Sequence, residues 1–277
     1  MNYLDFYHLK EPPFSLSVDE RFYFNSAQHA RALVKLKHAV EESRGLGVLI
    51  GDLGMGKTTL ARKLLEELDE ASYEAAMLVV IHPMVTVEWV LQKIAMQVGV
   101  INPNGDRSTL IGQIYQRIVE ISDSGKKTVV LIDEAHMFLR KEIMEELRGL
   151  LNMELDGHKI LTFILFGPNE TDTCLNLFLP LRQHVAVRCR LGTFAREMTE
   201  EYIGYRMDVA GSRKNIFMPS SYEIIHRYSG GVPRLINTIC DNAMLEGCLL
   251  KKGSIDDMLI QEVVRELNFS PADPQEA

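Results

Sequence analysis

The chain has 277 residues, enough to bury one large hydrophobic core or two modest ones. Hydrophobic residues make up 46 % and charged residues 25 %, which excludes a disordered or fibrous protein. The net charge of −8 argues against a protein dominated by non-specific nucleic-acid binding, although a local basic patch is compatible with it. The longest apolar run, around 160–166, is strand-sized, and no signal peptide is recognisable at the N-terminus, so we expect a cytoplasmic protein.

The first segment, residues 3–24, is rich in aromatic residues and contains Pro12 and Pro13. Two adjacent prolines exclude one continuous helix, so we expect an ordered arm that packs against another part of the protein. Ser26 fits an N-cap, and the apolar positions after it predict a helix that ends near Gly45.

From residue 45 onwards, strand and helix patterns alternate. Apolar runs predict strands over 48–50, 77–81, 129–132, 160–166 and 185–189. Helical spacing predicts helices over 58–68, 87–98, 110–121 and 142–155. The β-branched run 129–132 is typical of a strand buried on both faces, as in a parallel sheet. This alternation predicts an α/β domain with a parallel sheet over 45–190.

After Leu191 the pattern becomes helical, with glycines as the breaks between helices. The predicted helices cover 197–210, 219–228, 232–246 and 255–267. We therefore expect an arm and first helix over 1–44, the α/β core over 45–190, a small all-helical domain over 191–268, and a flexible tail over 269–277.

The strongest motif follows the first core strand and matches G-x-x-x-x-G-K-[ST]. In such a loop, glycines let backbone amides curl around phosphates, the lysine reaches the β- and γ-phosphate oxygens, and the hydroxyl binds Mg²⁺. A strand before it and a helix after it are the context this function needs. The motif residues, with the threonine that follows, are Gly51, Asp52, Leu53, Gly54, Met55, Gly56, Lys57, Thr58 and Thr59.

Two adjacent acids, Asp133 and Glu134, end the apolar strand 129–132. In a phosphate-loop fold, an acid at this place holds Mg²⁺, which assigns that role to Asp133. Side chains alternate along a strand, so we expect Glu134 to point elsewhere, towards a water that attacks the terminal phosphate. A base for water favours hydrolysis over a kinase reaction. The alternative is that both acids only cap the next helix.

Arg234 follows Pro233 at the predicted start of a helix in the C-terminal domain. The helix dipole does not favour a cation there, so Arg234 needs an anion nearby. A bound γ-phosphate would supply one, whereas an arginine considered alone is more often a surface residue.

These three elements, in this order and before a helical domain, resemble an AAA+ ATPase. The arm FYHLKEPPFSLSVDERFYFNSAQHARAL, the stretch LIDEAHMFLRKEIMEELRGLLNMELDGHKILTFILFGPNE and the segment SGGVPRLINTICDNAML are similar to secretion ATPases of the general secretion pathway protein A (ExeA-like) type. Relatives include a shorter member associated with MSHA-type pilus biogenesis. The resemblance implies a P-loop NTPase (AAA+) parallel-sheet core followed by a small all-helical lid domain.

The resemblance also implies roles for individual residues. The loop 51–59 would hold ATP, Thr58 and Asp133 the Mg²⁺, and Glu134 the catalytic water. Arg234 would be the sensor-2 arginine that links nucleotide state to lid position. An arginine finger would enter a neighbouring subunit's site, with Arg182 as the candidate and Arg188 and Arg190 as rivals. The adenine would lie near Asn25 and His29, although His29 is equally well explained as a helix-surface residue.

The sequence departs from the family in one motif. Relatives usually read G-Q-P-E after the fourth core strand, with the glutamine as sensor 1, whereas this chain reads Gly167-Pro168-Asn169-Glu170. Proline has no polar side chain, so either Asn169 takes the sensor role or that role is weakened. Larger relatives also carry a membrane span and a peptidoglycan-binding region, which leaves a truncated protein and a naturally short cytoplasmic member as alternatives.

We therefore expect an ATP-hydrolysing protein that forms a nucleotide-dependent, hexamer-like homo-oligomeric ring. It would serve as an assembly or energising factor for a secretion or pilus complex, in the cytoplasm or held at the inner membrane through a partner. Three rivals remain: a DNA-handling AAA+ protein of the transposition-regulator type, a small-molecule kinase, and an ATP-dependent switch with little turnover. For the first rival, a DNA track would use lysine and arginine pairs at 35 and 37, 126 and 127, and 213 and 214.

Overall fold

The computed structural model describes residues 2–17, 19–82 and 85–272, and the chain divides into two compact units. The sheet unit comprises Ala27–Leu53 and Leu60–Leu191. The helical unit comprises Met1–Ser26, Gly54–Thr59 and Gly192–Ala277. Residues 273–277 of the predicted tail lie outside the described residues.

The sheet unit is organised by a five-stranded parallel sheet. The strands, numbered in chain order, are β1 (Leu46–Gly51), β2 (Tyr73–Val79), β3 (Lys127–Asp133), β4 (Glu154–Leu155), β5 (His158–Lys159), β6 (Leu161–Gly167) and β7 (Val185–Leu191). The sheet order is β2-β3-β6-β1-β7, while β4 and β5 form a separate antiparallel pair. Strands β1 and β6 are buried along their whole length, which fits central strands covered on both faces. The predicted α/β fold is confirmed.

Helices cover this sheet and build the helical unit. They are α1 (Tyr3–Tyr7), α2 (Ala27–Glu41), α3 (Lys57–Glu66), α4 (Val87–Gln97), α5 (Arg107–Asp123), α6 (Lys141–Leu151), α7 (Asn169–Leu177), α8 (Leu179–Arg182), α9 (Arg196–Val209), α10 (Pro219–Ser229), α11 (Pro233–Leu249) and α12 (Asp257–Glu266). Helices α4 and α5 pack on β2 and β3, and α2 packs on β1 and β7. The predicted helical C-terminal part is confirmed. Among the described residues, none of these helices is both long and apolar enough to cross a bilayer.

The predicted helix over 142–155 is wrong at its C-terminal end. Helix α6 stops at Leu151, and the hairpin formed by β4 and β5 follows. The turn residues Asp156 and Gly157 have φ values of 51° and 78°. Positive φ at both central positions is the geometry of a type I′ hairpin turn, for which Asp-Gly is a preferred sequence. The dipeptide was therefore the signal that the helical periodicity obscured.

The aromatic arm belongs to the helical unit, where Arg206 of α9 fastens it. Arg206 is only 6 % exposed, and its guanidinium donates to the carbonyl oxygens of Pro13 and Ser15. It also lies 4.8 Å from the ring centroid of Phe22 and donates to the Tyr202 hydroxyl at 2.9 Å. A buried charge is costly unless its donors are satisfied, so the arm carbonyls stabilise Arg206 by accepting its hydrogen bonds.

Gly231 lies in the loop before α11 and meets the backbone of Phe194. A Cβ at Gly231 would lie 2.0 Å from the Phe194 carbonyl oxygen, and the φ of Gly231 is 72°. The Phe194 amide donates to the Gly231 carbonyl at 2.8 Å, which fixes this close approach. Only glycine fits here, because both the conformation and the space exclude a side chain.

We predict that Gly231→Ala destabilises the helical unit by about 2 kcal/mol or more, because strain in the left-handed region adds to the backbone overlap. The matched control is Gly204→Ala within α9, where a Cβ meets nothing within 4 Å. Removing a helical glycine stabilises by up to about 1 kcal/mol, so the control protein should unfold at an equal or higher temperature. Thermal unfolding followed by circular dichroism measures both, and equal midpoints for the two variants would contradict the packing described.

Candidate active site

The phosphate loop connects β1 to α3. Strand β1 ends at Gly51 and α3 begins at Lys57. Within the loop, Gly54 and Gly56 have φ values of 85° and 86°, a conformation that glycine adopts without strain. Backbone amides in such turns, followed by a helix N-terminus, form a concave site for an anion. Lys57 is 5 % exposed, so its ammonium is not a solvated surface charge. The loop therefore fits a polyphosphate.

The start of α11 packs directly on this loop, within the helical unit. The Arg234 amide donates to the Gly54 carbonyl at 3.3 Å. A Cβ at Gly54 would lie 2.6 Å from the Cβ of Arg234 and 3.1 Å from Val232 Cγ1. The structure thus brings Arg234 beside the loop, and its sensor-2 role stays a prediction. Sequence reasoning assigned Gly54 to phosphate binding but missed this second constraint on it.

The two acids after β3 occupy different environments. Asp133 is the last residue of β3 and is 1 % exposed, and its Oδ1 accepts the Glu134 amide at 3.0 Å. Glu134 lies beyond the strand, half-buried, with φ 54° and ψ 40°. The expected divergence of the two acids therefore comes from a left-handed backbone turn rather than from strand alternation, which corrects the reasoning given above. Such a conformation costs roughly 1–2 kcal/mol in a residue with a side chain and is concentrated at functional sites.

His136 is a site residue that sequence reasoning missed. It lies in a short 3₁₀ helix, Ala135–Met137, and its Nδ1 is 3.5 Å from Glu134 Oε2. That nitrogen is buried and has no hydrogen-bond partner among the residues that the structure describes. The only available signal was the order Asp-Glu-Ala-His in the sequence. The contact places a nitrogen that can be a donor or an acceptor beside the predicted base.

Asn169 begins α7 at the carboxyl end of β6, directly after Pro168. Its side-chain nitrogen donates to Asp52 Oδ1 at 2.6 Å, and its side-chain oxygen accepts from Arg190 at 2.6 Å. Before it, Gly167 has no room for a Cβ, which would lie 2.0 Å from Thr171 Oγ1. The structure therefore brings Asn169 to Asp52 of the loop sequence, and its role in place of the glutamine stays a prediction.

The candidate finger arginines differ in what they contact. Arg188 lies 2.7 Å from Asp172 Oδ1, as a close ion pair rather than an aligned hydrogen bond. Arg190 contacts Asn169 and lies 3.9 Å from Asp172. Arg182 ends α8 and is exposed, and within 2–17, 19–82 and 85–272 its side chain has no hydrogen bond or ion pair. Of the three, Arg182 is the one whose guanidinium has no such contact with the described part of its own chain.

The proposed adenine residues are placed differently from each other. Asn25 is exposed and ends the arm, whereas His29 lies in the first turn of α2 and is 5 % exposed. The alternative of His29 as a helix-surface residue is therefore wrong, and its role near an adenine stays a prediction.

The described side chains do not by themselves form a complete metal site. Among the described residues, no group of three or more His, Cys, Asp or Glu side chains is placed to hold a metal ion. Mg²⁺ typically keeps several waters and binds one or two carboxylates plus substrate phosphates. The predicted donors, the Thr58 hydroxyl and the Asp133 carboxylate, fit that mode of binding.

Comparison with known proteins indicates the family of the chain. The profile of a family described as AAA domain matches residues 40–175. The chain is 33 % identical over 246 residues to "General secretion pathway protein A" of Aeromonas hydrophila, which covers 88 % of this chain and 44 % of that protein. The chain therefore matches less than half of the length of this relative.

Solved structures share the fold at low sequence identity. The ORC2 protein of Aeropyrum pernix, solved as ADPNP-ADP complexes, has a TM-score of 0.72 at 16 % identity, covering 96 % of this chain and 74 % of its own. Cdc6p of Pyrobaculum aerophilum has a TM-score of 0.70 at 17 % identity, and the match covers 92 % of this chain and 70 % of Cdc6p. The RuvB Holliday junction branch migration motor of Thermotoga maritima has a TM-score of 0.60 at 19 % identity, and the match covers 90 % of this chain and 74 % of RuvB. At these identities the likeness shows the fold alone.

We predict that Gly54→Ala weakens ATP binding by about tenfold or more, because roughly 1–2 kcal/mol of strain adds to the overlap with Arg234. Titration with a fluorescent ATP analogue measures the change. Gly149→Ala is the control, because a Cβ there, on the exposed side of α6, meets nothing within 4 Å. Wild-type affinity in the Gly54 variant would show that the contact between the loop and α11 does not constrain nucleotide binding.

Proposed function

The chain belongs to the AAA ATPases of the general secretion pathway protein A type, and we propose that it hydrolyses ATP to ADP and phosphate as an assembly or energising factor for a secretion or pilus system. The observation that carries hydrolysis is the arrangement after β3: a buried Asp133, then Glu134 in a left-handed turn, at the edge of the sheet where β1 leads into the phosphate loop. A kinase must exclude water from this place, whereas Glu134 remains half-buried and reachable by water.

The loop residues 51–59 bind the phosphates, with Lys57 on the β- and γ-phosphate oxygens. Thr58 and Asp133 would hold Mg²⁺, which would neutralise part of the phosphate charge. Glu134 orients a water and takes its proton as the water attacks the γ-phosphorus, and the bond from the γ-phosphorus to the bridging oxygen breaks so that ADP leaves. Asn169 donates its side-chain N–H to the γ-phosphate or to that water, in place of the glutamine that relatives have where this chain has Pro168. Asn25 and His29 bind the adenine side of the nucleotide.

Oligomerisation completes the site in this proposal. Arg182 enters the site of a neighbouring subunit, because its exposed guanidinium has no partner in the described part of its own chain. Arg234, held beside the loop, reports nucleotide state to the helical domain at 191–268, which moves as a lid against the core at 45–190. The arm and first helix at 1–44 precede that core, and the tail at 269–277 follows the lid.

The biological context is proposed from the relative. Its name places that protein in the general secretion pathway, and the match covers most of this chain. We infer a nucleotide-dependent, hexamer-like homo-oligomer in the cytoplasm that acts on a protein partner of a secretion or pilus complex at the inner membrane.

The DNA-handling alternative is weakened by the positions of its lysines. Lys37 pairs with Glu67 at 2.9 Å, and Lys126 lies 4.0 Å from Glu74. Lys127 donates to the Glu41 carbonyl. These side chains belong to a surface of mixed charge rather than to a continuous basic track.

We predict that Glu134→Gln lowers the rate of phosphate release by about 100-fold or more while ATP binding is retained, since removal of a general base costs that order of rate. Lys57→Ala should lose ATP binding as well. Glu145→Gln, an exposed change on α6, is the control and should match the wild type. A Glu134→Gln protein with the wild-type rate would overturn the assignment, and a wild type that binds ATP without turnover would favour the switch.

We predict that Arg182→Met lowers turnover by roughly 1,000-fold or more, as expected for a finger arginine, and that mixing restores part of it. In an equimolar mixture with Glu134→Gln, the second variant supplies an intact Arg182 to sites that keep Glu134. The mixture should therefore hydrolyse ATP faster than the sum of its parts. Particle mass should also increase when ATP and Mg²⁺ are added. Activity of Arg182→Met equal to wild type would exclude it as the finger.

A further inference from the structure

We propose that Arg190 is a positioning residue that fixes the side-chain amide of Asn169, so that its NH₂ group, and not its oxygen, faces the phosphate loop. This inference rests on the proposed function and names a residue in the chain's own site that sets the orientation of the γ-phosphate contact. It also removes Arg190 from the candidates for a finger that acts on a neighbouring subunit.

The orientation of the amide follows from the chemistry of its two partners. A guanidinium has only donors, so the Asn169 atom 2.6 Å from Arg190 must be the acceptor oxygen. An ionised carboxylate has only acceptors, so the Asn169 atom 2.6 Å from Asp52 Oδ1 must be the nitrogen. In the reversed orientation, the amide NH₂ would face the Arg190 donors and the amide oxygen would face the Asp52 carboxylate, and both contacts would be repulsive. The two partners together therefore specify one orientation of the amide more strongly than either partner alone.

Arg190 is itself held at a defined position in the sheet. Strand β7 pairs with β1, with Arg190 opposite Ile50 and Leu191 opposite Gly51, so Arg190 lies alongside the end of the strand that leads to Asp52. Its guanidinium lies 3.9 Å from Asp172 of α7, one turn beyond Asn169. A rigid strand thus presents a fixed donor to the first turn of a helix.

This arrangement has a consequence when ATP is bound. Asp52 and a γ-phosphate are both anionic acceptors, so an amide whose NH₂ group faces the loop presents the donor that either of them requires. Without Arg190, only Asp52 orients the amide, so its NH₂ group faces the loop for a smaller fraction of the time. An amide oxygen that faces an anion is repelled by it, so the contact with the terminal phosphate is weakened while the contacts with the β-phosphate remain.

The test compares Arg190→Met with Arg188→Met. Both arginines lie on β7 and contact Asp172, but only Arg190 contacts Asn169. We expect Arg190→Met to lower kcat by about tenfold, the effect of one charge-assisted hydrogen bond, with KM and the unfolding temperature little changed. Arg188→Met should stay within about twofold of wild type. Arg190→Gln, whose amide can still donate to Asn169, should recover part of the rate. Equal rates for the two methionine variants would overturn the proposal.

A second readout does not depend on turnover. In a Glu134→Gln background, Arg190→Met should lower the ratio of ATP to ADP affinity by about tenfold, because only ATP has the γ-phosphate that Asn169 contacts. The same change in an Asn169→Leu background should have no further effect. An unchanged ratio would overturn the inference whether or not the wild type hydrolyses ATP. Absence of hydrolysis with a lowered ratio would overturn the proposed function and keep the inference.

Subunit mixing separates this role from that of a finger. In an equimolar mixture of Arg190→Met with Glu134→Gln, each active-site type lacks one group of its own chain, so we expect no recovery of activity. Recovery like that expected for Arg182→Met would show that Arg190 acts on a neighbouring subunit and would overturn the proposal.

Discussion

The candidate site depends on the parallel register of β1, β3 and β6. Parallel pairing places Ile50 of β1 beside Gly167 of β6, and Ile132 of β3 beside Leu165 of β6. The carboxyl ends of three buried strands therefore meet at one edge of the sheet, and whatever follows each strand is delivered there. The chain follows them with a glycine-rich loop, a pair of acids and an asparagine. The sheet fixes where each of these three segments begins, so a short segment after each strand is enough to bring its side chains to this edge.

Close packing then limits which residues fit at this edge and at the loop beside α11. Gly54 and Gly167 are each confined by a neighbouring side chain, Arg234 for the first and Thr171 for the second. Gly54 lets the start of α11 approach the loop, and Gly167 lets the first turn of α7 approach the end of β6. A glycine at such a place serves packing as well as backbone freedom, which is why its replacement affects a site without removing any functional group.

The sequence was sufficient for the features that depend on local patterns. The buried strands were predictable because a run such as VVLI has no polar face, and the loop was predictable because its residues are contiguous. Other features depend on residues far apart in the chain. Asp52, Asn169 and Arg190 meet only because β1, β6 and β7 are neighbours in the sheet. The left-handed turn at Glu134 was not predictable either, since the residue type does not favour it.

Asp52 adds a negative charge to a loop that binds phosphates, and its exposure explains how this is tolerated. In contact with water, a carboxylate is strongly screened, so its repulsion of a bound phosphate is modest. Asp52 accepts a hydrogen bond from the Asn169 amide, and under the proposed function this is the orientation that a γ-phosphate requires. Under the proposed function, the loop therefore gives up some affinity for phosphate and gains an amide that is aligned before ATP arrives, which lowers the reorganisation that catalysis would otherwise need.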